Sequence, residues 1–265
     1  MGGEHLSAIA FMTANYVARE TGWAMHGWSH GDRATNERFR PIETYAERLD
    51  EMLATIQALG FDTVDIWGAH LSPDWATDEH VAIARETLAR HDLRVATYAV
   101  WVDPSNVDRA CEIATAIGTN VIGGGMSGDP GAVASVLRER DVRLGIENHP
   151  ERVPDEMRAR IDAGDGAFGT TVDTGWWATQ GYDPARAIEE LGERVLHVHL
   201  KDVLAVGEPH ETCRWGEGIV DIAACVRVLQ RIGYAGTYTI EHEPEDHDPS
   251  EKCRDMLGEL RTLLA

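Results

Sequence analysis

Residues 194–202 read Arg-Val-Leu-His-Val-His-Leu-Lys-Asp, and this stretch sets the pattern for the rest of the chain. His197, His199 and Lys201 alternate with apolar residues. Because successive side chains of a β-strand point to opposite faces, the three polar groups lie on one face of a predicted strand. Lys201 is also one of only two lysines in the chain. Two imidazoles and an ammonium group on one face indicate a functional site rather than an ordinary surface.

Eight such short, apolar or β-branched segments alternate with longer helical patterns. The predicted strands are residues 8–13, 63–67, 94–101, 120–122, 143–148, 169–174, 195–200 and 237–242. The predicted helices are residues 42–59, 78–90, 107–117, 132–140, 155–162, 184–191, 219–232 and 250–264. This alternation predicts an α/β fold in which residues 1–265 form a single (β/α)8 TIM barrel. An open doubly wound sheet is disfavoured, because no Gly-x-Gly-x-x-Gly follows the first strand.

Two connections of the predicted barrel are long. Residues 15–41 follow the first strand, and residues 203–218, which include Trp215, follow the seventh. Loops that follow barrel strands build the active-site face, so we expect a lid or a pocket wall there. The alternative is a surface excursion or an oligomer contact. The glycines of residues 123–125 lack the pattern of a phosphate loop, and we interpret them as backbone accommodation.

Composition limits the kinds of partner. A net charge of −21 argues against nucleic-acid binding, which needs clustered Lys and Arg. No apolar segment is long enough to cross a bilayer, and no signal-peptide pattern opens the sequence. The four cysteines form no Cys-x-x-Cys pair and are typical of reduced thiols. We therefore expect a cytoplasmic protein that binds no membrane, and its Trp-rich loops are compatible with a homo-oligomer.

Four successive predicted strands end in a metal-ligating side chain. These residues are Glu147, Asp173, His199 and Glu241. Burying three carboxylates together is costly, because each loses its hydration and the negative charges repel one another. A divalent cation offsets both costs. Any one of the four is more often an ordinary buried polar group, but their equivalent positions favour a metal site. We expect one Mn²⁺ ion, with Mg²⁺, Co²⁺ or Zn²⁺ as alternatives.

Several motifs resemble the xylose isomerase-like barrel superfamily, in particular its sugar phosphate isomerase/epimerase branch. That branch includes inosose isomerases and dehydratases, tagatose epimerases and hydroxypyruvate isomerases. The motifs are Gly-Ile-Glu147-Asn-His149-Pro, Val-Asp173-Thr-Gly, His197-Val-His199-Leu-Lys201-Asp202, Gly216-Glu-Gly218 and Thr-Ile-Glu241. The resemblance runs from the second strand onward. It implies that Glu147, Asp173, His199 and Glu241 bind one divalent metal.

The resemblance also implies proton transfer at a carbon next to a carbonyl, through an enediolate that the cation stabilises. The expected bases are Glu147 and Glu241, with His149 and Lys201 as donors to substrate oxygens or as the acid. The alternatives are a hydrogen bond to a neighbouring strand for His149 and an ion pair with Asp202 or Glu243 for Lys201. His197 is expected to support the site from below. The residues expected to contact a keto-sugar or polyol are Trp176, Trp101, His70 and Trp215.

One residue departs from this family pattern. Isomerases of the family often have a His three residues after the metal-binding Asp, and here that residue is Trp176. The expected function is therefore a metal-dependent sugar isomerase or epimerase, with a lyase that dehydrates or cleaves a keto-inositol or 3-keto-sugar as the alternative. Phosphodiester hydrolysis is disfavoured by the acidic charge and the few strand-end histidines. A barrel that binds a sugar without turnover is disfavoured by the four intact ligands.

Overall fold

The computed structural model describes residues 8–207 and 209–265. Eight parallel strands close into a barrel in chain order, with the first strand pairing with the second and the last. We number them β1 to β8: Ile9–Met12, Thr63–Trp67, Arg94–Ala99, Val121–Gly124, Arg143–Glu147, Phe168–Asp173, Val195–Leu200 and Tyr238–Ile240. The eight predicted strands and the (β/α)8 fold are thus confirmed, with small differences at the strand ends.

Ten α-helices surround the described part of the barrel. We number them α1 to α10: Trp28–Phe39, Ile42–Ala58, Asp78–Arg90, Val107–Ala116, Pro130–Arg140, Pro154–Asp162, Thr174–Thr179, Pro184–Leu191, Ile222–Arg231 and Ser250–Leu264. Short 3-10 helices span Thr13–Thr21, Gly68–His70 and Gly192–Arg194. Every predicted helix is present. None of the helices in the described ranges is both long and apolar enough to span a membrane.

The connection after β1 differs from its prediction as a long loop. Residues 15–41 hold most of a 3-10 helix and all of α1. The buried face of α1 consists of Gly31, Thr35 and Phe39, which recur every fourth residue but include only one large apolar side chain. A hydrophobicity pattern therefore does not reveal this helix. The later connection contains a two-stranded hairpin, in which Asp202–Val203 pairs with Thr212–Cys213.

The main hydrophobic core lies between the barrel and its helices, while the barrel interior is polar. Asp65, Thr97, His197 and Thr239 are all buried there. Because side chains alternate along each strand, the same strands supply apolar groups to the outer core and polar groups to the interior. All four cysteines are buried free thiols, as expected. The polar interior leads directly to the strand ends where the candidate site lies.

Candidate metal centre and its cavity

Four predicted ligands meet at the carboxyl ends of the last four barrel strands. Glu147 ends β5, Asp173 ends β6, His199 lies near the end of β7, and Glu241 follows β8. One side-chain donor atom of each lies within 4.8 Å of the others, and all four residues are buried. The structure therefore brings this predicted set together. Its role as a metal site stays a prediction that geometry alone does not test.

The donor set fits a divalent cation. Asp173 Oδ2 and Glu241 Oε2 are buried and accept no well-formed hydrogen bond, although Lys201 Nζ lies near both oxygens. Three carboxylates and one imidazole are ligands that Mn²⁺, Mg²⁺, Co²⁺ and Zn²⁺ all accept. A cation would also relieve the repulsion among the carboxylates.

His199 bridges the carboxylates. Its Nδ1 lies 2.7 Å from Glu147 Oε1 and 3.2 Å from Glu241 Oε2. Burial alone would lower the pKa of His199, but Glu241 and Glu147 outweigh it and hold this pKa well above its usual value. In the same way, burial alone would raise the pKa of Glu147, yet His149 and His199 hold it well below its usual range. Glu147 therefore carries a negative charge at neutral pH.

Lys201 supplies the positive charge of the site. Its Nζ lies 2.8 Å from Glu243 Oε2, 2.9 Å from Asp173 Oδ2 and 3.4 Å from Glu241 Oε2. Burial would lower the pKa of Lys201, but these carboxylates raise it well above normal. Burial also raises the pKa of Glu243 to about 7, although Lys201 acts in the opposite direction. Glu243 was predicted from the sequence only as a possible ion-pair partner of Lys201, and not as part of the candidate metal centre.

Asp202, the other partner considered for Lys201, has a different role. Its carboxylate accepts hydrogen bonds from the backbone N–H groups of Gly216, Gly218 and Val220. Gly218 is packed so closely that an added Cβ would lie 2.3 Å from the carbonyl oxygen of Val203. The motif Gly216-Glu-Gly218 therefore holds the loop after β7 around a buried carboxylate.

His197 and Asp65 lie below the candidate ligands. His197 Nε2 is 2.6 Å from Asp65 Oδ2, and the same oxygen is 3.5 Å from His199 Nε2. The backbone N–H of Thr97 also donates to Asp65. This agrees with the expected supporting position of His197. Asp65 was not predicted as a site residue. Its position between Val64 and Ile66 indicates a polar side chain on the inner face of β2, and this pattern could have identified it.

His149 lies at the edge of the site. Its Nε2 is 3.1 Å from Glu147 Oε2, and its side chain keeps 31% of its surface exposed. Burial lowers the pKa of His149, but the charge of Glu147 outweighs this and raises it. A partly exposed imidazole next to a buried carboxylate can give a proton to a ligand and recover one from solvent.

A cavity of about 730 Å³ opens above the donors. Seven residues predicted for the site line it: Trp101, Glu147, His149, Trp176, His199, Lys201 and Glu241. The Trp176 ring stacks on the His210 ring, with centroids 3.8 Å apart. The His149 ring is tilted against Trp176, with centroids 4.9 Å apart. Gly125 supports Trp101, because a Cβ there would lie 2.2 Å from its ring. This agrees with backbone accommodation at residues 123–125.

His70 and Trp215, expected to contact the substrate, do not line this cavity. The 3-10 turn at Gly68–His70 directs the His70 ring into the core, edge-on to Phe39 and with Nδ1 3.3 Å from Thr13 Oγ1. Trp215 is buried, and its indole N–H donates to the carbonyl oxygen of Leu200. Both residues therefore serve packing in this structure. The cavity residues that sequence analysis did not assign to substrate include Met12, Met25, Trp28 and Trp67.

Solved structures share this fold at low identity. A D-allulose 3-epimerase from Methylomonas sp. superposes with a TM-score of 0.70 and 17% identity, covering 99% of this chain and 100% of that one. A probable 3-DHS dehydratase, AsbF, from Bacillus anthracis has a TM-score of 0.70 and 13% identity, covering 96% and 98%. A xylose isomerase-like TIM barrel protein from Mycobacterium smegmatis in complex with magnesium has a TM-score of 0.70 and 16% identity, covering 100% and 98%.

Sequence comparison points to the same group. Over 142 residues the chain is 25% identical to the uncharacterised protein MJ1311 of Methanocaldococcus jannaschii, and it spans about half the length of that curated relative. Residues 131–263 match the family described as xylose isomerase-like TIM barrel. The match covers half of the chain and contains the four candidate ligands. The chain belongs to the xylose isomerase-like TIM barrel family.

Proposed function

We propose that this protein is a divalent-metal-dependent isomerase or epimerase of a keto-sugar or polyol. The observation that carries the proposal is the cluster of Glu147, Asp173, His199 and Glu241, whose donor atoms lie within 4.8 Å of one another under an open cavity. The proposed metal is Mn²⁺, with Mg²⁺, Co²⁺ or Zn²⁺ as alternatives. When bound, such an ion would act as a Lewis acid on a carbonyl oxygen and make the adjacent C–H more acidic.

Proton transfer would be carried out by the paired glutamates. Glu147 and Glu241 both line the cavity, and a carboxylate oxygen of each lies near His199 Nδ1, at 2.7 and 3.2 Å. One glutamate would take the proton from the carbon next to the carbonyl, and it or the other would return a proton. Lys201 would stabilise negative charge on a substrate oxygen, and His149 would exchange protons with that oxygen.

Solvent deuterium tests the proposal. The protein would be incubated in D2O with each metal and a panel of keto-sugars and keto-inositols, and the products followed by NMR. We expect deuterium at the carbon next to the carbonyl, and loss of this exchange in Glu147→Gln and Glu241→Gln. Glu79→Gln, at an exposed residue of α3, is the matched control and should keep full exchange. Absence of stoichiometric metal, or of exchange with every compound, would contradict the proposal.

A lyase is the second candidate, and Trp176 favours it. This ring occupies the position of a His that family isomerases often have, and it stacks against His210. Burial lowers the pKa of His210 to about 2, so this imidazole is neutral and a poor base, while the raised pKa of His149 makes that residue a suitable acid for a leaving oxygen. A dehydrated or cleaved product in the same experiment would identify the lyase. An isomer that carries deuterium would identify the isomerase.

A further inference from the structure

The cavity has an apolar half that the proposed chemistry does not use. Met12 at the end of β1, Trp67 at the end of β2 and Ala99 at the end of β3 line it, joined by Met25 and Trp28 from the segment after β1. Met12, Met25 and Ala99 belong to a small hydrophobic cluster separate from the main core, and Trp67 packs against it. The four candidate ligands come from β5 to β8, so the two halves face each other across the barrel mouth.

The apolar half lies next to the candidate metal centre. Asp65 and Trp67 are two residues apart on β2, so their side chains share one face and Trp67 lies one layer nearer the mouth. Asp65 Oδ2 reaches to 3.5 Å from His199 Nε2, which places the Asp65 layer directly below the candidate ligands and the Trp67 layer beside them. A ligand held at the donors would therefore extend toward the Trp67 ring.

The apolar wall is held in place from behind by α1. The Trp67 indole N–H donates to Asp32 Oδ1 at 2.8 Å, so its polar atom is already used. Met25 packs so closely on Gly31 that a Cβ there would lie 2.1 Å from the Met25 sulfur. Trp28 meets Trp67 edge-on, with ring centroids 6.0 Å apart, and remains 36% exposed. A preorganised wall of exposed aromatic surface is typical of a binding site.

The size of the cavity leads to the same conclusion. Cavities that enclose whole drug-sized ligands have volumes of about 300–1,000 Å³. At about 730 Å³ this one exceeds the need of a single sugar ring. A free monosaccharide would satisfy the carboxylates, His149 and Lys201, but it would leave the exposed surfaces of Trp67 and Trp28 in water.

We infer that the natural substrate is a sugar that carries an aromatic ring, and that this ring binds against Trp67, Trp28, Met12 and Met25. The inference rests on the proposed function for the sugar half only. A flat aromatic group gains stacking and sulfur contacts from these side chains that an aliphatic or charged substituent does not.

Binding of matched glycosides tests the inference without turnover. Dissociation constants of phenyl and methyl glycosides of the same sugar would be measured for the Mn²⁺-loaded protein by calorimetry, over several common sugars. We expect the phenyl glycoside of the recognised sugar to bind at least about tenfold more tightly, because stacking and burial of one ring are worth about a power of ten. Trp67→Leu should reduce this ratio several-fold, and Trp28→Ala provides a second variant should Trp67→Leu fail to fold.

Trp75→Leu is the matched control. Its indole N–H also donates to α1, at Asn36, but the residue lies outside the cavity. The control should therefore lose a similar packing contact and keep the phenyl-to-methyl ratio. The inference would be overturned if both glycosides bound with equal affinity, or if no phenyl glycoside bound. It would also be overturned if the phenyl-to-methyl affinity ratio stayed unchanged in both cavity variants. Deuterium exchange with unsubstituted keto-sugars would still report on the proposed function independently.

Discussion

Asp65 is the residue that connects the two histidines of β7. Both His197 and His199 have a ring nitrogen near Asp65 Oδ2, at 2.6 and 3.5 Å. Burial alone would raise the pKa of Asp65, but the charge and hydrogen bond of His197 dominate and lower it. A carboxylate in this position fixes which nitrogen of each ring carries a proton, and thus which one faces the ligands. The Nδ1 of His199 is then the nitrogen available to a metal.

Replacing this carboxylate should weaken metal binding. We expect Asp65→Asn to lower the affinity for Mn²⁺ by about 10–100-fold, since the amide no longer fixes the histidine tautomers. Calorimetric titration of the metal-free protein measures the change. Asp62→Asn is the matched control, because Asp62 precedes the same strand but is largely exposed and contacts Arg94 and Thr63 rather than the histidines. An unchanged affinity in Asp65→Asn would show that Asp65 does not orient His199.

His199 should also make metal binding depend on pH. Its pKa is well above normal in the structure, because Glu241 and Glu147 surround it. A metal that binds Nδ1 must displace that proton, so below the His199 pKa the affinity should rise by about a factor of ten per pH unit. Titrations in two buffers of different ionisation enthalpy should report about one proton released per metal. No proton release would contradict His199 as a ligand.

At the scale of the element, β7 and the residue that follows it contribute two positively charged side chains to a site rich in carboxylates. His199 and Lys201 are successive inward residues, and both contact carboxylates from other strands. Lys201→Met would leave Asp173, Glu241 and Glu243 without their buried ammonium group. We expect a loss of about 3–5 kcal/mol in the free energy of unfolding of the metal-free protein.

Metal should compensate for much of this loss. At about one hundred times its dissociation constant, Mn²⁺ adds about 2.7 kcal/mol to the folded wild type, and Lys201→Met should gain more at the same concentration, because no ammonium group then competes with the cation for the carboxylates. Urea unfolding with EDTA and with Mn²⁺ measures both values. Lys252→Met, at the other lysine of the chain, is the control, because its Nζ is 4.0 Å from Glu217 and the side chain is 35% exposed. If Mn²⁺ stabilised Lys201→Met no more than the wild type, Lys201 would not act as a counter-charge at the metal site.

Elements with a strong hydrophobic pattern could be predicted from the sequence, and α1 could not. The strand β7 alternates strictly, and β5, β6 and β8 each carry a carboxylate at their end or just beyond it, so the local pattern predicted the site. Helix α1 buries a glycine, a threonine and a phenylalanine, and its close contact at Gly31 is visible only in three dimensions. Its role as the support of Trp67 was therefore missed.

Contacts between distant residues set the same limit inside the site. Asp65 and His197 are 132 positions apart, and no local motif links them. His70 was expected at the substrate, but a single 3-10 turn just after β2 directs its ring into the core. The sequence thus predicts which strand ends carry chemistry. The direction of a side chain just beyond a strand depends on the turn that follows.

At the scale of the whole molecule, buried neutral histidines should limit stability in acid. His70 is 1% exposed, and burial lowers its pKa to about 3. In the unfolded chain an imidazole titrates near 6.5. Between these two values the unfolded state binds a proton that the folded state does not, so the free energy of unfolding falls as the pH drops below about 6.5.

The contribution of His70 can be isolated by substitution. His70→Met keeps an apolar group beside Phe39 but removes the titrating ring, so its stability should fall less steeply in acid than that of the wild type. The difference in slope should approach about 1.4 kcal/mol per pH unit once the pH is about one unit below 6.5. Urea unfolding at several pH values, with EDTA to exclude metal linkage, measures it. His26→Gln, at an exposed histidine, should keep the wild-type slope. The dependence of unfolding free energy on pH could instead have the same slope in His70→Met as in the wild type. That result would mean that His70 gains a proton or water before the protein unfolds, because this part of the core opens in acid.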